Sequence, residues 1–414
     1  MQGPRWKAGG RAFAQIAQYH PELTALRRDL HAHPELGFEE VYTSKRVKEA
    51  LKLCGVDEIH DGIGRTGVVG VIRGRSTASG SMVGLRADMD ALPLTEHNDF
   101  AWKSCKQGLM HGCGHDGHTA MLLAAAHQLA QDSTFSGTLH LIFQPAEEHP
   151  GGARLMIEQG LFDRFPCDAI FAMHNMPGVA QGRLVFRDGP AMASSDDVTI
   201  TLTGIGGHGA MPHRAADPVV AAASIVMALQ TVVSRNVDPQ QTAIVTVGAL
   251  HAGRANNVIP QTATLELSVR ALDPAVRDLL QARITALAQA QADSFGVQAR
   301  VDYKRDYPVL VNSPAETAFA REVGLELLGE GGVTLQGPAL TGSEDFAVML
   351  EHCPGSYLLI GNGTGDGTGD GTRDGQGHGA GGCMVHNPGY DFNDDNIATG
   401  AAYWVLLAER FLRD

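Results

Sequence analysis

The sequence predicts an α/β protein: a mostly parallel mixed sheet with flanking helices, interrupted by an inserted α+β unit of ferredoxin-like order. Two rhythms and the length carry that prediction. From Leu23 to about Asp188, and again after Pro308, helix-like and strand-like stretches alternate, as in a parallel sheet with helical crossovers. Between them the order becomes β-α-β-β-α-β, the split βαβ arrangement. At 414 residues the chain is long enough for two domains. The expected division is a discontinuous domain over 1–190 and 305–414, with an inserted domain over 191–304.

In the outer domain, 42–53 reads as a helix, 67–73 as a Val/Ile-rich strand and 81–86 as a strand that runs into Ala87-Asp88-Met89-Asp90. An apolar, Ala-rich helix follows at 119–127. The alternating stretch 137–143 runs into Gln144-Pro-Ala-Glu-Glu148, and the short buried strand 168–173 ends on His174. Polar residues thus recur where strands end, the place where open α/β sheets bind ligands. The inserted unit reads as a strand at 197–203, a long Ala/Val-rich helix at 217–233, strands at 242–250 and 262–270, a helix at 274–292 and a strand at 297–303. A helix at 315–328, a strand at 356–360 and a terminal helix at 393–412 resume the first rhythm. Residues 361–382 hold 11 glycines in 22 positions and read as a flexible loop. Its two short Gly/Asp copies are too few for a stacked calcium-binding repeat.

The net charge of −14 and the lack of a basic stripe argue against nucleic acid and anionic membranes as partners. Six scattered cysteines without framework spacing suggest free thiols in a reducing compartment. The N-terminal residues have no uninterrupted apolar core, and no segment reads as a membrane-spanning run of about 20 residues, so the expected location is the cytoplasm.

The most informative run is Met110-His-Gly-Cys-Gly-His-Asp-Gly-His118, which gathers a thiol, three imidazoles and a carboxylate among glycines before an apolar helix. A helix N-terminus favours a thiolate. By itself Cys-x-His also suits a buried thiol beside a surface histidine. Added to the strand ends, the candidate ligands are Cys113, His115, Glu148, His174 and His386, with Glu147 adjacent. Sulfur and imidazole favour Zn²⁺, Mn²⁺, Co²⁺ or Ni²⁺ over Mg²⁺ or Ca²⁺, and a thiolate can bridge two ions. Two such ions activate a water and polarise a carbonyl, the requirements of amide or ester hydrolysis. On an extended segment Glu147 and Glu148 would point apart, so that one binds metal and the other accepts the water's proton. The Pro-Cys-x-x-Cys element of zinc nucleobase deaminases is absent.

Eight motifs resemble the M20 metallopeptidase family nearly end to end: Asp29-Leu-His-Ala-His-Pro-Glu35, Arg86-Ala-Asp-Met-Asp-Ala-Leu-Pro93, the 110–118 run, Gln144-Pro-Ala-Glu-Glu148, Gly206-Gly-His-Gly-Ala-Met-Pro-His213, Asn256-Asn-Val-Ile-Pro260, Gly342-Ser-Glu-Asp-Phe346 and His386-Asn-Pro-Gly-Tyr-Asp-Phe392. The chain is similar to the amidohydrolase branch of that family, which contains hippurate hydrolases, N-acyl-amino-acid hydrolases and auxin-conjugate hydrolases, and in which a cysteine replaces the usual bridging aspartate. The resemblance implies Cys113 as the bridge between two ions, His115, Glu148, His174 and His386 as further ligands, and Glu147 as general base. It implies that Asp90 orients a metal-bound group, that Asn257 and Arg270 meet the substrate carboxylate, and that His208 polarises the scissile carbonyl across a homodimer interface. The inserted domain then serves as a lid or dimerisation domain. Asp88 stands where many members carry a metal-binding histidine, with His115 taking over. His31 and His33 are expected to tie down the first helix, while His111 and His118 stay open between supporting and structural roles. The implied substrates are hippurate-like or N-acetyl amino acids; a dipeptidase or carboxypeptidase on the same scaffold, and a catalytically silent metal-binding or ligand-binding protein, are the alternatives.

Overall fold

The computed structural model describes residues 10–364 and 383–413, so most of the glycine-rich stretch lies outside the described residues. In chain order the elements are α1 (Gly10–Ala32), α2 (Val41–Cys54), β1 (Glu58–Ile63), β2 (Gly67–Arg73), β3 (Met82–Asp88), α3 (His115–Gln131), β4 (Thr138–Gln144), α4 (Gly152–Glu158), α5 (Leu161–Arg164), β5 (Ala169–Pro177), β6 (Leu184–Val185) and β7 (Gly189–Met192). Next come β8 (Asp196–Thr203), β9 (Gly207–His208), α6 (Pro218–Asn236), β10 (Ala243–Ala252), β11 (Val258–Ile259), β12 (Thr262–Ala271), α7 (Pro274–Ser294) and β13 (Gln298–Arg305). The chain closes with β14 (Leu310–Asn312), α8 (Pro314–Leu328), β15 (Val333–Thr334), α9 (Phe346–Leu350), β16 (Gly355–Gly363) and α10 (Asp395–Phe411).

The chain divides into two compact units: Met1–Gly189, Val311–Pro338 and Val348–Asp414 form one, Pro190–Leu310 and Ala339–Ala347 the other. The sequence put 339–347 in the outer domain. Backbone hydrogen bonds explain the difference, because Ala193 N donates to Leu340 O at 3.1 Å and Leu340 N to Ala191 O at 2.8 Å.

The first unit holds an eight-stranded mixed sheet in the order β1-β2-β4-β3-β5-β16-β6-β15. Its centre, β4-β3-β5-β16, is parallel. The flank is antiparallel, because β1, a strand the sequence did not signal, pairs back on β2. Central strands read as unbroken apolar runs since helices cover them, and β4 is buried along nearly its whole length. Helices α1, α3 and α10 pack on one another, and α3 is buried through almost all its turns. That explains an Ala-rich helix: small side chains let it sit close to its neighbours.

The second unit holds a four-stranded antiparallel sheet, β10-β12-β8-β13, which in chain order is second-third-first-fourth, the ferredoxin-like arrangement. Its helices begin on matched signals: Asp217 and Asp273 cap α6 and α7 by accepting from Val219 N and Ala275 N at 2.8 and 2.7 Å, and each is followed by proline. Helix α6 is long and apolar enough to cross a membrane by length and composition, contrary to the sequence expectation that no segment would be. Its apolarity has another use here, since Ala221, Ala222, Ile225, Leu229 and Val232 form part of this unit's core.

Leu141, in the middle of β4 with no exposed surface, is a test of the first core. Leu141→Ala is expected to cost about 2–5 kcal/mol through lost burial and a residual cavity, read as a lower midpoint of chemical denaturation. An unchanged midpoint contradicts the packing described.

Candidate metal centre

The centre is built at the start of α3. Gly114 precedes the helix with φ 88°, and a Cβ there would lie 2.4 Å from both Asn175 Nδ2 and Tyr390 Oη. Only glycine fits that approach. Asn175, on β5, uses it to hold the loop: its Nδ2 donates to Cys113 O at 2.6 Å, its backbone N donates to His118 Nε2 at 2.9 Å, and its Oδ1 accepts from Tyr390 Oη at 2.8 Å. His118 therefore carries its proton on Nδ1 and donates to Asp88 Oδ1 at 2.6 Å. Both its nitrogens are spent, which assigns it to support rather than ligation. Asp88 also receives Arg86 Nη1 at 2.7 Å.

The ligand candidates turn their donor atoms toward one another. His115 Nδ1 donates to Asp90 Oδ1 at 3.1 Å, leaving Nε2 buried without a hydrogen-bond partner. His174 Nδ1 donates to Asn175 O at 2.6 Å, and its Nε2 faces Cys113 Sγ at 3.3 Å. His386 sits in a left-handed turn, φ 65°, fixed by its backbone N on Gly112 O at 2.7 Å. Its Nε2 lies 3.1 Å from Glu148 Oε1, without the geometry of a hydrogen bond, and Glu148 Oε1 is buried. Donor atoms of Cys113, His115 and His174 lie within 4.8 Å of one another, and so do those of Cys113, Glu148 and His386. One sulfur is common to both triads.

Glu147 and Glu148 depart from expectation. Ala146 takes φ 53° and the chain enters a turn, so the two glutamates are not on extended backbone and do not diverge by strand alternation. One oxygen of each lies within 4.8 Å of the other and of His115. Both carboxylates reach the same space. Asp90 organises this edge as well, accepting Glu148 N on Oδ2 at 2.9 Å.

The electrostatics call for cations. Burial alone would lower the His115 pKa, yet Asp88, Asp90 and Glu148 outweigh it and raise it to about 10. Burial, and then His118, lower His174 to about 3, so it stays a neutral donor. Burial, with Glu148, Glu147 and Asp88 adding, pushes the Cys113 thiol well above its usual range. Burial, and after it those carboxylates, oppose the thiolate that the helix N-terminus favours. A divalent ion supplies what the helix cannot. The soft sulfur, two lone-pair imidazoles and orphaned buried Nε2 fit divalent transition ions.

Around the centre, His31 Nδ1 and Nε2 approach Asp116 Oδ2 at 2.8 Å and Glu96 Oε1 at 3.2 Å, tying α1 to α3. Burial opposes its charge, but those two carboxylates raise its pKa to about 9. His33 Nδ1 bonds locally, to Asp29 O at 2.8 Å, and its ring packs on Tyr42 of α2 with centroids 4.5 Å apart. His111 is buried with neither nitrogen hydrogen-bonded among the described residues.

In the second unit, His208 Nδ1 accepts from Ala210 N at 3.0 Å, which leaves the proton on Nε2. It is exposed on β9, opposite Val258 of β11, and Asn257 O receives Gly209 N at 2.8 Å. Half-buried Arg270 donates from Nη1 to Ser343 Oγ at 2.7 Å. Sequence reasoning missed Asn175 and Tyr390, whose partners are distant in the chain.

The model of peptidase family M20/M25/M40 matches residues 84–410. The chain belongs to this M20 family. It is 41% identical over 399 residues to the hippurate hydrolase of Campylobacter jejuni, covering 96% of this chain and 99% of that one. It is 39% identical over 348 residues to the N-acetyl-L-cysteine deacetylase of Bacillus subtilis, covering 84% and 82%. The crystal structure of the Bacillus subtilis YXEP protein, described as a dinuclear metal binding peptidase from the M20 family, superposes with a TM-score of 0.79 at 32% identity, covering 96% of this chain and 99% of that one. As an M20 member the chain is a metal-dependent hydrolase.

Asp90→Asn keeps the side chain's size but cannot accept on both atoms. Metal affinity is expected to fall about 10- to 100-fold, measured by competition with a chelating indicator. Unchanged affinity would remove Asp90 from the support of His115 and Glu148.

Proposed function

We propose that the protein hydrolyses the amide bond of N-acyl amino acids, hippurate-like or N-acetyl substrates, using two divalent transition ions and Glu147 as general base. Zinc or manganese is the first expectation for the metal, with cobalt or nickel next. The observation that carries the reading is the pair of ligand triads sharing Cys113 Sγ, with the Glu147 carboxylate turned into the same space. The names of the hippurate hydrolase and N-acetyl-L-cysteine deacetylase relatives support the substrate class.

Cys113, His115, His174, Glu148 and His386 would hold the ions. When bound, these lower the pKa of a water and polarise the acyl carbonyl. Glu147 accepts the water's proton and returns it to the departing amine, which leaves as a neutral amino group. Arg270, with donors beyond the one given to Ser343, suits the free carboxylate of the substrate, and the Asn257 amide is the second group assigned to it. His208, protonated on Nε2, donates to the oxygen that gains charge as the carbonyl is attacked.

His208 acts in a homodimer, on the partner's site. Support comes from the second unit: β10 is an edge strand with no buried residue, and α6 exposes Val220, Ala223, Met227, Gln230, Thr231 and Ser234, a face without charge. Such a strand and helix suit pairing with a second copy. Six free cysteines support a reducing location such as the cytoplasm.

Glu147→Gln, reconstituted with each candidate metal and assayed against N-acyl amino acids and dipeptides, is expected to keep its metal and lose about 10²–10⁴-fold in kcat. Near-normal turnover in a metal-replete variant reassigns the base, and loss of metal makes Glu147 a ligand. Dipeptides cleaved in preference to acyl amino acids overturn the substrate class.

His208→Ala is expected to lose about 10²–10³-fold in kcat. Mixing it with Glu147→Gln under subunit exchange should restore part of the activity, since each heterodimer then holds one site with an intact base and an intact donor. Verified heterodimers that stay inactive, with both variants folded and metal-loaded, refute action in trans.

A further inference from the structure

Glu40 is a fully buried carboxylate that the proposed reaction does not use. It stands at the N-cap of α2, where an acidic side chain ordinarily accepts from its own helix. Here it does not. Glu35 takes that task, accepting from Tyr42 N and Thr43 N at 3.1 and 2.9 Å. Released from capping, Glu40 reaches across to Ala146, whose N–H donates to its Oε1 at 2.8 Å, while Thr66 Oγ1 donates to Oε2.

Ala146 is a peculiar place to anchor. It is buried, it precedes Glu147, and its φ of 53° lies in the left-handed region that side-chain-bearing residues rarely occupy. Its carbonyl is held too, by Gly152 N at 2.9 Å and Gly151 N at 3.2 Å. Gly37, three residues before Glu40, packs so closely that a Cβ there would come within 2.8 Å of Ala146 Cβ. The loop before α2 therefore grips this residue at its N–H and from the side, while Gly151 and Gly152 hold its carbonyl.

We infer that Glu40 is a positioning residue for the Glu147 carboxylate, holding the Ala146 peptide in the left-handed turn that aims Glu147 at the reacting centre. This rests on Glu147 being the base. Without the Glu40 acceptor, the buried Ala146 N–H loses its partner and an alanine relaxes toward ordinary backbone, carrying the next side chain with it. Displacing a proton acceptor by about 1 Å costs up to about 10²-fold in rate. Burial, opposed by Thr66 and with Asp90 adding to it, raises the Glu40 pKa to about 7, so a neutral amide is a close substitute.

The test compares Glu40→Ala, Glu40→Gln and Glu40→Ala/Ala146→Gly, each metal-reconstituted. Glu40→Ala is expected to keep its metal stoichiometry and its KM within about 3-fold, to lose about 10- to 100-fold in kcat, and to exchange the Ala146 amide faster. Glu40→Gln, which still accepts from that amide, should stay within about 3-fold of the parent kcat. The double variant should recover part of the loss, because glycine adopts the left-handed turn unaided. Where Glu40→Ala does not fold, Glu40→Asp, one methylene short, keeps the buried carboxylate and should lose about 10-fold in kcat. Parental kcat and amide exchange in the folded Ala or Asp variant, or a Gln variant as impaired as Ala, overturns the inference while an inactive Glu147→Gln still supports the base. An active Glu147→Gln overturns both.

Discussion

The first unit is organised around a surplus of buried negative charge at the start of α3. Asp88, Asp90, Asp116 and Glu147 are all buried there, and Glu148 nearly so. Buried carboxylates without partners are costly enough that a chain must answer each one. Arg86 answers Asp88 at 2.7 Å. Arg27, fully buried on α1, answers Asp116, Asp391 and Asp394 together at 3.4, 3.0 and 2.7 Å, which ties α1 to the segment leading into α10. His31, held protonated by Asp116 and Glu96, adds another cation. On the side facing His115, Asp88, Asp90 and Glu148 act together on one imidazole and favour its charged form. Divalent ions balance that side better.

The same accounting explains how the supporting bonds are distributed. A ligand cannot spend its lone pair on structure, so each candidate is fixed through its other atoms. His115 and His174 are oriented through Nδ1, on a carboxylate and a backbone carbonyl respectively. Cys113 and His386 are fixed through backbone groups, by Asn175 and Gly112, and Glu148 through its N–H on Asp90. Such orienting contacts set ring direction and donor basicity, and they matter nearly as much as the ligands.

How far the sequence foretold this depends on the range of each interaction. The split βαβ order, the parallel centre and the candidate ligands were legible because they rest on local periodicity and on polar residues at element ends. The antiparallel β1 flank was not, since its strand alternates poorly and is half exposed. The turn at Ala146 was misread as extended because nothing in Gln144-Pro-Ala-Glu-Glu148 signals a left-handed alanine; the cause is Glu40, more than a hundred residues earlier. The groups that act on the Cys113 thiol are also distant in the chain. Its helix is local, whereas the carboxylates that join burial in opposing a thiolate come from β3 and the turn after β4.

The proposed chemistry is divided between the two units. The candidate ligands differ in setting: Cys113 and His115 are buried at the start of α3, His174 is half-buried on β5, and His386 is exposed on its left-handed turn. His208 sits exposed on a two-residue strand of the second unit, with only its tautomer fixed, by Ala210 N. For the proposed role of donor to a substrate oxygen, the place of the proton is what matters, because the N–H must be on Nε2. Ala210 N, by making Nδ1 the acceptor, secures that placement. The exposed, uncharged face of α6 lies in the same unit. Under the proposed action of His208 in trans, assembly would be a condition of turnover, whereas the five proposed ligands all belong to the first unit.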